Sequence, residues 1–77
     1  MEIKNEVINL ICETLEVKKE ELKEGQNLYD SIGVDSTEMV ELNVTLKKHF
    51  GVEIEANEIT KFSTLEDIVE IISKKRA

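Results

Sequence analysis

Apolar residues recur at helical spacing in three stretches of the chain, and between the first two the pattern disappears. From Ile3 they fall at Val7, Leu10, Ile11 and Leu15, a single stripe over residues 2–16. At 100° per residue, Met39, Leu42, Leu46 and Phe50 share a second stripe with Val40 at its edge, while Glu38, Glu41, Thr45 and Lys48 point away. Leu65, Ile68, Val69 and Ile72 then recur at i, i+3, i+4 and i+7. The spacing predicts three main helices. The middle one opens at the Asp35-Ser36 pair and closes at Phe50, with Gly51 where a left-handed residue is wanted. The last follows a Ser63…Glu66 capping box, and Lys74-Lys75-Arg76 complement the negative end of its dipole.

Residues 17–35 show no sustained period and are punctuated by Gly25, Asn27, Asp30, Ser31 and Gly33, which predicts a long loop. A loop of that length needs anchors. Val17, Leu22, Leu28 and Ile32 can supply them, with one turn of helix around Lys19 to Leu22, and the loop then delivers Ser36. Val52-Glu53-Ile54-Glu55 alternates like a strand, but no second strand exists to pair with it. A brief helical segment at 57–62 places Ile59 and Phe62 inward. The expected fold is all-α, one domain over residues 1–77: a four-helix bundle with three main helices, one short helix and a long first loop.

Length limits such a domain to one modest core, burying about 60% of its unfolded surface. The single cysteine, Cys12, beside Ile8 on the flank of the first stripe, forms no intrachain disulfide and reads as a small buried hydrophobe. No Cys/His cluster has metal-ligand spacing, no apolar run approaches the roughly 18 residues of a membrane span, and the N-terminus carries charge too early for a signal peptide. A complete, cytosolic, monomeric chain is expected.

The net charge of −7 changes the picture more, because it is unevenly placed: residues 1–46 carry eleven acids against four bases, and residues 47–77 carry six of each. Such a surface repels nucleic-acid phosphates and anionic lipid and steers basic protein patches toward it. Taken alone, the charge is better explained by a solvated acidic face kept for solubility.

Against this background Gly33-Val34-Asp35-Ser36-Thr37-Glu38 sets one hydroxyl at the mouth of an acidic helix. Serine and aspartate both cap helices, and Asp35 with Glu38 matches a capping box, so local sequence alone is accounted for by capping. Hydrolytic chemistry is excluded. The only histidine, His49, lies thirteen residues along the same helix, roughly 20 Å away at about 1.5 Å per residue, and reads as a solvated side chain. Reversible phosphate binding gains about 0.3–1 kcal/mol from the helix end but is opposed by Asp35 and Glu38. Glu38 and Glu41 lie one turn apart with no third ligand, so neither a metal nor an acid/base site is expected. Tyr29 reads as a loop anchor with its hydroxyl in water. Val44, on the border near Thr37, Glu41 and Lys48, reads as an exposed apolar spot among charges.

Asp35-Ser36, preceded by Gly33 and followed by Met39-Val40-Glu41-Leu42, Leu46 and Phe50-Gly51-Val52-Glu53-Ile54, resembles the acyl carrier protein family over nearly the whole chain. The resemblance implies that Ser36 accepts 4′-phosphopantetheine from coenzyme A through a separate phosphopantetheinyl transferase (holo-synthase), and that acyl groups ride on the terminal thiol. The chain is then a substrate of other enzymes and not a catalyst. By the family pattern, Asp35, Thr37, Glu38, Glu41 and Val44 form the face that docks on basic patches of an acyltransferase, a ketosynthase or other acyl-processing enzymes of fatty-acid or specialised polyketide and lipid synthesis. Peptidyl or D-alanyl carriage is a variant of the same role. An unmodified acidic helical adaptor using the same surface is the alternative from a different class.

The departures bear on pathway. Thr37 stands where the family commonly has leucine or methionine, Lys47-Lys48-His49 makes the second half of the helix basic and favours a mixed partner patch, and Glu55 stands where a proline is frequent. The acyl pocket implied by the family falls at Met39, Asn43, Leu46, Ile54, Ile59 and Phe62. Asn43 is out of character there, since an unpaired buried amide costs roughly 1–3 kcal/mol. Either it lies at the edge and bonds a loop carbonyl or water, or it polarises the pocket toward short or oxygenated acyl groups.

Overall fold

The computed structural model describes residues 2–76. Its helices are α1 (Ile3–Leu15), α2 (Leu28–Ile32), α3 (Ser36–Phe50) and α4 (Leu65–Arg76), with a 3₁₀ turn at Lys19–Glu21. Among the described residues there is no strand; one isolated antiparallel bridge, Asn27 to Thr64, ties the first loop to the last. The fold is thus the expected all-α bundle of three main helices and one short one. The short helix lies elsewhere than expected, however. Residues 57–62 form turns, and α2 occupies part of the stretch read as loop.

α1 packs against both α3 and α4, and its buried residues are Val7, Ile8 and Ile11. Serving two neighbours rotates its stripe toward Ile8, so that Leu10 stays half-buried. Leu42 and Leu46 from α3 and Ile68 and Ile72 from α4 complete the layer, all fully enclosed. Leu28, at the start of α2, and Val34, just past its end, both about 1% exposed, pin the chain ahead of α3 into the same core. Val17, Leu22 and Ile32 add partly buried anchors along it. Cys12 is half-buried against the core, and the burial pushes its thiol up from the ordinary value of 9.0.

The connections are held by backbone chemistry. α2 leaves its first amide groups without helical partners, and the neighbouring loop supplies them: Leu28 N donates to Ser63 O at 3.1 Å and Tyr29 N to Lys61 O at 2.8 Å. Asn27 Oδ1 accepts from Asp30 N at 2.7 Å as the N-cap. Gly33, at φ +65°, closes α2 in the left-handed conformation and turns the chain toward Ser36. Gly51 closes α3 in the same way, at φ +66°.

The cap of α4 is shifted by one residue from the expected pair. Thr64 N donates to Asp67 Oδ2 and Asp67 N to Thr64 Oγ1, both at 3.1 Å. Ser63 is buried instead, and its hydroxyl accepts from Thr60 N at 3.0 Å. A serine already committed inside the preceding turn is not free to cap.

Candidate functional site

The start of α3 separates two roles that both Asp35 and Ser36 are able to fill. Asp35 is the N-cap: its Oδ1 accepts from Glu38 N at 2.8 Å, and Glu38 Oε1 accepts from Asp35 N at 3.1 Å, a reciprocal capping box. Ser36 is therefore the first helical residue, with its side chain exposed and outside the capping box. Its hydroxyl is available for chemistry without cost to the helix.

Beside Ser36 opens a cleft of about 320 Å³ between α3 and the turns of residues 56–62. Ser36, Met39, Val40 and Asn43 line its α3 wall, and Ala56, Ile59, Thr60, Lys61 and Phe62 line the other. Of the pocket residues expected from the sequence, the structure brings Met39, Asn43, Ile59 and Phe62 to this cleft. Leu46 and Ile54 are buried in the core outside its lining. Phe62 does not point inward as its predicted helix required: it is 62% exposed at the cleft mouth. Its ring lies 6.1 Å from that of Tyr29, itself half exposed, and Lys61 Nζ sits 5.1 Å from the Tyr29 ring centre and 5.5 Å from that of Phe62. Such cation–π placement draws the ammonium over the aromatic pair.

Asn43 does two things at once. Its Nδ2 donates to Ile59 O at 3.2 Å, the loop-carbonyl bond expected of an edge position, and stitches the two walls together. Its Oδ1 is enclosed with no partner among the described residues. An unmet buried acceptor costs about 1–3 kcal/mol.

Glu55, where the resemblance favours proline, uses the N–H a proline lacks. It donates to Glu58 Oε1 at 2.9 Å, and Glu58 Oε2 pairs with Lys75 Nζ of α4 at 3.0 Å. Glu58 so ties the turn beneath the cleft to the last helix. The Glu55 amide first, and Lys75 next, hold its carboxyl below the ordinary 4.5.

Asp35, Thr37, Glu41 and Val44 are exposed along α3, Val44 at 43%, whereas Glu38 is partly engaged by the cap. His49, at the far end, is paired with Glu6 of α1 at 3.2 Å. Among the described residues no three His, Cys, Asp or Glu side chains are grouped to hold a metal, and no helix is long and apolar enough to cross a membrane.

Val40, Ala56, Thr60 and Lys61 belong to the cleft although the sequence reading did not assign them to it. For Val40 a signal existed, since Ser36, Val40 and Asn43 stand at i, i+4 and i+7 on one side of α3. The other three lie in turns, where no period marks direction.

An exposed serine at a capped helix start thus stands beside an apolar cleft. A family model described as "Phosphopantetheine attachment site" matches residues 5–72. The chain is 36% identical over 74 residues to the acyl carrier protein of Thermotoga maritima, covering 96% of this chain and 91% of that one. It is 34% identical to the acyl carrier protein of Petrotoga mobilis over 74 residues, 96% of this chain and 87% of the relative. With that of Wolinella succinogenes it shares 33% over 76 residues, 99% and 100% of the two chains. The chain belongs to the acyl carrier protein family, whose members bear phosphopantetheine and act as carriers, not catalysts.

Proposed function

We propose that Ser36 is the attachment residue, and that the chain carries acyl intermediates between partner enzymes of fatty-acid or specialised polyketide and lipid synthesis in the cytoplasm. One observation carries the reading: Asp35 does the capping, so the exposed Ser36 hydroxyl is spare, and it borders an apolar cleft. The residues present fit the group. Ser36 Oγ offers an unencumbered nucleophile to a transferase, Met39, Val40 and Ile59 offer apolar shelter, and the exposed mouth leaves a path between the two. The bound pantetheine thiol supplies the thioester linkage; the chain supplies position and recognition.

Recognition falls to the outer side of α3. Asp35, Thr37, Glu38, Glu41 and Val44 form a docking face for the transferase and for acyl-processing enzymes such as an acyltransferase or ketosynthase. The acidic side chains steer basic partner patches into contact and let them go, because exposed charge contacts are weak and salt-screened. Lys47 and Lys48 follow on the same helix, so the complementary patch is basic toward Ser36 and mixed beyond it.

The test is intact-protein mass spectrometry after incubation with coenzyme A and a broad-specificity phosphopantetheinyl transferase. One phosphopantetheine should appear on the wild type and none on Ser36→Ala. Addition to the alanine variant would move the site elsewhere, and no addition to folded wild type would favour an unmodified adaptor.

A further inference from the structure

One residue of the cleft lining, Asn43, has an enclosed polar atom whose need is unmet among the described residues. Asn43 Nδ2 donates to Ile59 O at 3.2 Å, which fixes the amide orientation, because the flipped side chain would set two oxygens against each other. Asn43 Oδ1 is then left as the enclosed side-chain acceptor without a partner among the described residues. Among the described residues no other side-chain polar atom of the lining is enclosed without a partner. Lys61 lies over the Tyr29 and Phe62 rings, and Thr60 Oγ1 accepts from Phe62 N at 3.2 Å. Ser36 is the attachment residue of the reading above, on which this inference rests.

We propose that Asn43 makes the cleft select tethered acyl groups that carry a hydroxyl over saturated chains of the same length. A saturated chain lying against Met39, Val40 and Ile59 gains apolar contact and leaves Asn43 Oδ1 without a donor. A hydroxylated chain makes most of the same contact and brings an O–H to the oxygen. The two cargoes differ chiefly in that hydrogen bond, so Asn43 sets the sign of the preference. Room for a chain to reach the amide comes from the cleft mouth. Val40 and Phe62 are 65% and 62% exposed, so their side chains can swing outward without disturbing the core. Asn43→Val removes both the acceptor and the donor to Ile59 while keeping a branched side chain of similar bulk on the wall.

The experiment loads wild-type and Asn43→Val protein enzymatically with the unacylated arm, a butyryl arm and a 3-hydroxybutyryl arm. Loading is checked by mass, and each form is melted by circular dichroism. In the wild type the hydroxybutyryl form should melt above the butyryl form by on the order of 4 °C or more, and in Asn43→Val the order should vanish or reverse. The Asn43 side-chain amide resonances of the wild type should also move between the two acyl forms, a readout independent of how well the variant folds. The same melting order in both proteins, or identical amide resonances in the two acyl forms, overturns the inference. An Asn43-dependent rise already complete with the unacylated arm also overturns it, because the donor would then be an amide of the arm itself. If wild-type protein takes up no arm at all, the carrier reading fails first; successful loading with either negative result sinks the selectivity alone.

Discussion

Replacing Asp35 and Ser36 separately by alanine should split stability from loading. Asp35 supplies the cap at the head of α3, where its Oδ1 holds Glu38 N at 2.8 Å. Removing an aspartate cap costs about 1 kcal/mol, within a range of roughly 0.5–2. Loss of a negative charge from the helix start adds about 0.3–1 kcal/mol. Glu38 can still reach the amide of residue 35, so the second half of the box survives. The total for Asp35→Ala is then about 1–2 kcal/mol, and at roughly 4–8 °C per kcal/mol for a domain this small the melting point should fall on the order of 5–15 °C.

Ser36→Ala should behave in the opposite way. The serine is the first residue inside the helix and is exposed, and alanine is the better helix former by up to about 0.5 kcal/mol. Its melting point should stay level or rise slightly, while phosphopantetheine uptake is lost. Thermal and urea unfolding of the two unloaded variants, followed by far-ultraviolet circular dichroism, decides the matter. If Ser36→Ala proves as unstable as Asp35→Ala, the hydroxyl is itself a cap and Asp35 does not hold the helix start alone.

Two further predictions follow from the periphery of the site. Glu58 is held below its ordinary 4.5 by the Glu55 amide and by Lys75, so its contribution is present above about pH 4.5 and disappears as pH falls through the lower folded value. Melting points measured between about pH 7 and pH 3 should therefore fall less steeply on the acid side for Glu58→Gln than for the wild type, and parallel curves would show that the carboxylate has no such role. At the other end of the molecule, Glu16 closes α1 at φ 55°, the one non-glycine residue in the left-handed region among those described. Glu16→Gly should raise stability by about 0.5–1 kcal/mol, since glycine takes that conformation freely; a lower urea midpoint would refute it.

The parts of the structure that were legible in the sequence are those where a repeating pattern and a cap agree. Leu42 and Leu46, or Ile68 and Ile72, repeat the core contact turn after turn, so the period survives local uncertainty. Caps are less forgiving, because neighbouring residues of similar chemistry compete for one position. Ser63…Glu66 and Thr64…Asp67 have the same spacing, and only the commitment of Ser63 to Thr60 N chooses between them. α2 is five residues long, too short for a period, although Asn27 and Gly33 mark its ends. The helical period that turns Phe62 inward does not carry through residues that form turns, where side-chain direction is set by tertiary bonds such as Tyr29 N to Lys61 O.

The site shows the same division. Ser36 stood out because hydroxyl, acid and helix start coincide in sequence, but whether it was cap or cargo point depended on a choice between adjacent side chains. The structure makes that choice through Asp35 and Glu38. Asn43 shows what a wheel projection cannot resolve. Its place in the apolar stripe was visible, and two fates were open, a loop-carbonyl bond or an unmet polar group inside a pocket. An amide has two ends, and the structure gives one fate to each: Nδ2 closes the wall against Ile59, and Oδ1 is left over. A valine there would make neither the bond nor the unmet acceptor, so the cost of keeping an amide at this position is offset only where something supplies the missing donor.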